Sequence, residues 1–311
     1  MRTLPPSLPR FVLLALLTVY LVWGSTYLAI HFALLSFPPY LLMATRFLAA
    51  GGLLFGWLVL RGVPLPTARQ WRDAGIVGVL LLGGGMGCTA LAQQYVSSGM
   101  TAVFIASAPL MFAIWSGLFG EWPGPREWAG IVVGFGGAAL LAAGGNFAAQ
   151  PLGIVFLASA IACWTFGSVL SQKKLALAPG AMGFASEMLL GGAFLLGLAL
   201  MHGETLPAAI DPRAAVAWVY LVIAGSLAAF SAYMYLLAKV SPALASSYAY
   251  VNPVIAVLLG VWLAGEQFGS RELVAMLIIL GSVILITTSK GAARDEAADP
   301  DPLADTAANA R

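Results

Sequence analysis

The chain has 311 residues, of which 60% are hydrophobic and only 9% are charged, with a mean hydropathy of +0.92. A soluble domain carries about 25% charged residues, so this composition excludes an ordinary soluble domain and indicates a membrane protein. The formal net charge is only +2, which gives no electrostatic reason to expect nucleic acid as a partner.

Ten apolar segments follow one another along the chain, separated by short connections. The first, 11–30, follows a short basic, proline-rich lead at 1–10. It predicts a retained span, because it is long for the apolar core of a signal peptide. The other nine approach the ~20 residues that a helix needs to cross a ~30 Å hydrocarbon core. They cover 38–60, 71–94, 98–119, 127–144, 151–171, 180–201, 213–238, 243–263 and 272–289. The polar, alanine-rich end at 290–311 predicts a disordered cytoplasmic tail.

Two stretches of the chain share one design. Each is a long apolar run with a proline near its middle, and the two prolines, Pro109 and Pro253, lie 144 residues apart. Trp23 and Trp164 lie 141 residues apart and also correspond. We therefore predict two diverged copies of one five-helix unit, at 11–144 and 151–289. The predicted fold is an all-α polytopic membrane protein with ten transmembrane helices.

The basic residues predict how the helices are oriented in the membrane. If the N-terminus is cytoplasmic, 12 of the 15 Lys and Arg residues lie inside, Arg213 and Arg271 lie outside, and Arg46 lies within a span. This bias predicts that both termini are cytoplasmic. Because five spans is an odd number, the second copy enters the membrane from the opposite side. The two repeats are therefore predicted to be inverted, as in many secondary transporters.

Arg46 and Glu187 are the predicted intramembrane charges, and they occupy matching positions in the two copies. Charges at this depth are costly and often functional, which suggests a gate, a proton site or a contact to a charged substrate. The alternative is that each caps a kink or ties two helices together near an interface. Pro109 and Pro253 each free a backbone carbonyl at mid-membrane, and we predict that they are hinges.

Aromatic and mildly polar side chains deep in the spans predict a central cavity for a polar or zwitterionic solute. The aromatic rings would contact the substrate, and hydroxyl and amide groups would bind its polar atoms. The alternative is ordinary helix packing and interhelical hydrogen bonding. The predicted cavity residues are Trp23, Tyr27, Met86, Gln93, Phe104, Ser107, Trp164, Ser168, Tyr233, Tyr248 and Asn252.

The sequence offers little support for catalysis or metal binding. Cys88 and Cys163 lie in apolar runs and indicate packing residues, while His31 and His202 lie at span ends without partners at ligand spacing. The glycine-rich run at 82–87 lacks the Lys-Ser/Thr of a phosphate loop, so it indicates close packing or a flexible wall beside a cavity. We expect no catalytic residue, no metal and no cofactor. A membrane enzyme or a channel is a weaker alternative.

Three motifs resemble the EamA branch of the drug/metabolite transporter superfamily. They are WGSTY at 23–27, RFLAAG at 46–51 and SPALASSYAYVNPVIAVLLG at 241–260, and the resemblance covers about 11–289. It implies a ten-helix, inverted-repeat exporter in the bacterial inner membrane, acting as a monomer or weak dimer. The implied substrates are amino acids, aromatic ones above all, or related small metabolites, carried by alternating access. The alternative within this class is a multidrug exporter of amphipathic compounds.

Overall fold

A computed structural model of the chain describes residues 10–143, 150–240, 244 and 247–298. Within these ranges the protein is all-helical and contains no strand, as the sequence predicted. Seven helices are long and apolar enough to cross a membrane. They are α1 (Arg10–Ala33), α2 (Pro39–Leu60), α3 (Ala68–Ala92), α4 (Ser98–Gly117), α6 (Pro151–Lys173), α7 (Ala181–Met201) and α8 (Pro212–Leu236). Three further helices are α5 (Pro125–Ala142), α9 (Tyr248–Ala264) and α10 (Ser270–Ala298).

The end of the chain differs from the prediction of a disordered tail from residue 290 onward. Helix α10 continues to Ala298, so residues 290–298 are helical. Alanine, arginine and glutamate in this stretch are strong helix formers, which explains why the helix does not stop where the apolar run ends. The remaining tail, 299–311, and residues 1–9 of the predicted lead lie outside the described ranges.

Helices α3 and α8 each contain a π-helical segment, at Val79–Gly87 and Leu221–Ala228. The two segments begin 142 residues apart, so they occupy the same place in the two copies. A shorter π-helical turn lies in α1, at Val19–Trp23. π-Helical turns are rare and frequently lie at functional sites. The middle of α3 and the middle of α8 are therefore candidate functional regions.

The two predicted hinge prolines have different local structures. Helix α4 is interrupted between Ile105 and Ala108, and Pro109 begins its second half. Proline is well placed there, because the first turn of a helix leaves its N–H groups unpaired. Helix α9, in contrast, is continuous through Pro253. The proposed role of both prolines as hinges stays a prediction.

Helices α2 and α7, which correspond in the two copies, pack closely through glycines. A Cβ atom added at Gly51 would lie 3.1 Å from the backbone nitrogen of Leu189, and one at Gly192 would lie 3.0 Å from that of Leu48. The contact is reciprocal, because Leu189 and Gly192 each lie 141 residues after Leu48 and Gly51. Leu48 contacts Gly192 and Gly51 contacts Leu189, so the two helices run in opposite directions and are antiparallel.

Helices α5 and α10 repeat this arrangement. Gly134 packs against Ser282, and Gly137 packs against Ile279. Each residue of α10 lies 145 residues after its counterpart in α5, so this contact is reciprocal and antiparallel as well. Small residues at such positions let helix backbones approach closely, which is how helices associate in a membrane.

Some of the other helix contacts also have a counterpart in the second copy. Helix α1 contacts α8 and α9, and its counterpart α6 contacts α3 and α4. Helix α2 contacts the π-helical segment of α8, and its counterpart α7 contacts that of α3. These matched contacts agree with a duplicated helical unit.

Candidate substrate site

Three of the predicted aromatic residues meet where α1, α8 and α9 come together. The ring centroid of Trp23 lies 5.2 Å from that of Tyr233 and 4.9 Å from that of Tyr248, and the two tyrosine rings are 5.6 Å apart. The indole nitrogen of Trp23 donates a hydrogen bond to the carbonyl oxygen of Gly225, at 3.2 Å. These three rings are hereafter the ring cluster. The structure therefore brings together residues that lie more than 200 positions apart in the sequence.

Asn252 lies next to the ring cluster and joins α9 to α1. Its side chain is buried. When the amide is assigned so that its nitrogen faces the backbone, this nitrogen donates to the carbonyl oxygens of Tyr248 and Tyr20, at 3.2 Å each. The hydroxyl of Tyr20 also forms a hydrogen bond of 2.5 Å with that of Ser247. Tyr27 lies one helical turn after Trp23 on α1 and is half-buried. The polar groups of this region are thus arranged around the rings.

Trp164 does not join the ring cluster. It packs against α3, where a Cβ atom at Gly85 would lie 3.0 Å from the indole ring. Ser168, one turn further along α6, donates its hydroxyl to the carbonyl oxygen of Trp164. Trp23 and Trp164 therefore each contact a glycine in a π-helical segment of the other copy, Trp23 by its hydrogen bond to Gly225 of α8 and Trp164 by packing its ring near Gly85 of α3.

The other predicted cavity residues have varied surroundings. Phe104 belongs to a buried apolar cluster that joins α4 to α5, α6, α9 and α10. Ser107 is buried at the interruption of α4 and donates to the carbonyl oxygen of Phe104 at 2.7 Å. Met86 packs against the apolar core around α2 and α7. Gln93 is buried at the end of α3, and neither atom of its amide finds a hydrogen-bond partner in the part of the chain that the structure describes.

Both intramembrane charges are buried, Arg46 with 4% and Glu187 with 6% of its surface exposed. The Nε of Arg46 donates to the hydroxyl of Ser226 on α8 at 3.0 Å, and its guanidinium carbon lies 5.0 Å from the ring centroid of Phe47. The backbone of Glu187 lies at the close contact between α7 and α3, where a Cβ atom added at Gly78 would lie 2.6 Å from the carbonyl oxygen of Glu187. Among the described residues, no ion pair joins Arg46 to Glu187.

The sequence analysis did not predict two carboxylates that cap helix N-termini. Glu266, just after α9, accepts hydrogen bonds from the backbone nitrogens of Ser98 and Gly99 at 2.7 and 2.9 Å, and one from the Ser98 hydroxyl. Glu204 accepts from the backbone nitrogens of Tyr40 and Leu41 at the start of α2. The first N–H groups of a helix lack internal partners and attract negative charge, so both carboxylates stabilise the helices they cap. The sequence signal for Glu266 was a Gly-Glu pair at 265–266 that also occurs at 120–121, in the corresponding part of the first copy.

Two spaces in the structure lie away from the ring cluster. A pocket of about 260 Å³ near the Glu266 cap is lined by Tyr95, Val96, Ser97, Met100 and Gln267. An apolar groove of about 350 Å³ between α3, α4 and α6 is lined by Leu80, Trp115, Leu118, Ala162, Cys163 and Phe166. The predicted cavity residues line neither space, so the central cavity stays a prediction.

The fold and these contacts define a multi-pass helical membrane protein built from a duplicated unit. The sequence profile of the EamA-like transporter family matches residues 10–143 and again 151–288. The chain therefore belongs to the EamA-like transporter family, and it is a membrane transporter.

Several transporters are similar in sequence to this chain along nearly their whole length. The chain is 43% identical over 277 residues to the uncharacterized inner membrane transporter YedA of Escherichia coli strain K12, covering 89% of this chain and 90% of that protein. It is 27% identical to an uncharacterized transporter of Archaeoglobus fulgidus, covering 89% and 97%. A solved crystal structure shares the fold, with a TM-score of 0.63, 22% identity, and coverage of 89% of this chain and 97% of that one.

Proposed function

We propose that the protein exports aromatic amino acids, or related small metabolites, across the bacterial inner membrane. The observation that carries this proposal is the ring cluster of Trp23, Tyr233 and Tyr248, which lies where helices of both copies meet. An aromatic substrate would gain ring contacts there, each worth ~0.5–1.5 kcal/mol beyond the burial of its area. The faces of the rings would also attract the substrate's ammonium group.

The proposed mechanism is alternating access by ten transmembrane helices, arranged as two inverted five-helix repeats. The reciprocal, antiparallel contacts of α2 with α7 and of α5 with α10 support this arrangement. The basic residues support an orientation with both termini in the cytoplasm. In such a carrier the two repeats exchange conformations, so a site near their interface opens to one side and then to the other. The carrier would act as a monomer or a weak dimer.

A second candidate function is the export of amphipathic compounds. The apolar groove between α3, α4 and α6 favours it, because all of its lining side chains are apolar or weakly polar. A compound with a large apolar body could enter such a groove sideways from the lipid. The two functions differ in what the protein would recognise, since only the first requires both a ring and the polar groups of an amino acid.

The proposal is tested by uptake into proteoliposomes. Radiolabelled phenylalanine, tyrosine, tryptophan, threonine and serine would be compared with a lipophilic cation, and liposomes without protein would serve as the control. We expect phenylalanine and tryptophan to be carried about tenfold better than threonine, because one or two ring contacts supply a difference of that size. Equal transport of threonine would contradict the aromatic site. Transport of the cation alone would favour the second function.

A further inference from the structure

Arg46 is a buried cation for which the described residues supply no carboxylate partner. The ion pairs found there involve Asp73, Glu121 and Asp211, and none of them includes Arg46. A guanidinium carries five N–H donors. One of them, on Nε, binds the hydroxyl of Ser226, while Nη1 meets only the sulfur of Met43, at 4.0 Å. A charge at this depth is costly unless it is paired, so the group is ready to accept an anion.

The guanidinium and Trp23, one of the three rings, approach the same glycine of α8. A Cβ atom at Gly225 would lie 3.2 Å from Nη2 of Arg46, and the carbonyl oxygen of the same glycine accepts the hydrogen bond from Trp23. Arg46 therefore contacts Gly225 and Ser226, and Trp23 contacts Gly225, so both side chains meet the π-helical segment of α8 at the same point. A glycine at this point lets both side chains approach the backbone closely.

From this juxtaposition we infer that Arg46 binds the carboxylate of the substrate while the ring cluster binds its aromatic side chain. The inference rests on the proposed function and extends it to a second group of the substrate. Guanidinium and carboxylate form two parallel hydrogen bonds, a geometry that lysine does not reproduce. The substrate class is then aromatic compounds that carry a carboxylate. Aromatic amines without one are rejected, because their positive charge would face Arg46.

The first test uses the wild-type protein and needs no variant. Uptake of labelled phenylalanine into proteoliposomes is measured in the presence of 3-phenylpropionate, which has the ring and the carboxylate, or phenethylamine, which has the ring and the amine. We expect 3-phenylpropionate to inhibit at a concentration at least about tenfold lower than phenethylamine. Equal inhibition by the two compounds, or stronger inhibition by the amine, would overturn the inference.

The second test compares variants of the guanidinium and its partner. We expect Arg46→Gln to raise the KM for phenylalanine about tenfold or more and to abolish the preference for 3-phenylpropionate, with Arg46→Lys intermediate. Ser226→Ala keeps the charge and is the milder change if Arg46→Gln does not fold. It should raise the same KM a few-fold. Arg61→Gln is the matched control, because Arg61 lies beyond α2 against Trp57, and it should leave the KM unchanged.

The outcomes separate the inference from the proposed function. If the wild-type protein carries no aromatic amino acid, the proposed function fails and the inference fails with it. If the wild-type protein carries phenylalanine but folded Arg46→Gln and Ser226→Ala keep the same KM and the same preference, only the inference fails. Arg46 would then be a structural tie between α2 and α8.

Discussion

Trp23 is the residue through which the ring cluster is joined to the rest of the site. It contacts Tyr233 and Tyr248 by its ring and Gly225 by its indole nitrogen. We expect Trp23→Ala to lower phenylalanine transport roughly tenfold at normal protein level, because two ring contacts are lost. Trp57→Ala is the control, since Trp57 is exposed at the end of α2 and should not matter. Equal transport by both variants would show that the rings are only packing.

Glu187 corresponds to Arg46 but has different surroundings. In the described part of the chain it is buried and has neither a hydrogen bond nor an ion pair from its carboxyl group. Replacing a buried, unpaired acid with a neutral amide of the same shape costs little. We therefore expect Glu187→Gln to leave the protein yield and the pH profile of transport unchanged. Transport that loses its pH dependence in this variant would instead identify Glu187 as the proton site.

At the scale of single residues, the sequence predicted several residues that lie together in the structure, but it did not predict their grouping; their role in binding substrate stays a prediction. Depth and residue type were sufficient to choose Trp23, Tyr233, Tyr248 and Asn252, which the structure brings together. The same criteria also chose Trp164, which packs on α3 instead. Depth along a helix can be read from sequence, but the neighbour that a side chain meets depends on how each helix is rotated. Only the packed structure fixes that rotation.

At the scale of helices, Glu266 joins the end of α9 to the first turn of α4. Its three hydrogen bonds hold together the two helices that carry the predicted hinge prolines. Glu204 makes a similar cap on α2. Because α2 packs tightly against α7, we expect α2 to stay in place during transport. The two carboxylates therefore offer a matched pair: in the proposed alternating-access cycle the contact at Glu266 would open and the contact at Glu204 would stay closed.

We expect Glu266→Gln to weaken the closure between α4 and α9. The lost cap is worth roughly 0.5–2 kcal/mol, so the open fraction should rise by a factor between about two and thirty. The measurement is the rate at which an impermeant thiol reagent labels Met100→Cys, a position that is buried beside the cap. Glu204→Gln should lower thermal stability without faster labelling. If Met100→Cys is labelled at the same rate in both variants, Glu266 only caps α4 and does not control the closure between α4 and α9.

Other helical features show where sequence reasoning reaches its limit. The proline in α4 was visible, but the break that precedes it was not, because hydrogen bonds at an interruption depend on the helices around it. The π-helical segments of α3 and α8 were also missed. Glycines at 82–87 gave a signal for the first, but Leu221–Ala228 contains only one glycine and reads as an ordinary apolar helix. The tail was assigned from composition alone, and its residues 290–298 continue helix α10 in the structure.

At the scale of the whole molecule, duplication explains most of the architecture. The family profile matches twice, and several helix contacts of one half have a counterpart in the other. The sequence could predict this because repeat-related glycines, prolines and tryptophans kept their spacing. Seven helices meet the length and hydropathy of a membrane span, and α5 and α9 are shorter, with 18 and 17 residues. Helix α10 is not among the seven either, so the proposed count of ten spans depends on α5, α9 and α10 crossing the membrane as well.

The central claim is that the two copies are inverted in the membrane, and one labelling experiment tests it directly. Arg69 and Arg213 lie 144 residues apart, near the start of α3 and α8, and their side chains are 70% and 69% exposed. Single cysteines would be placed at these positions after replacement of Cys88 and Cys163. We predict that an impermeant reagent added to intact cells labels Arg213→Cys but reaches Arg69→Cys only after permeabilisation. Labelling of both positions from the same side would contradict the inverted repeat and the alternating-access mechanism built on it.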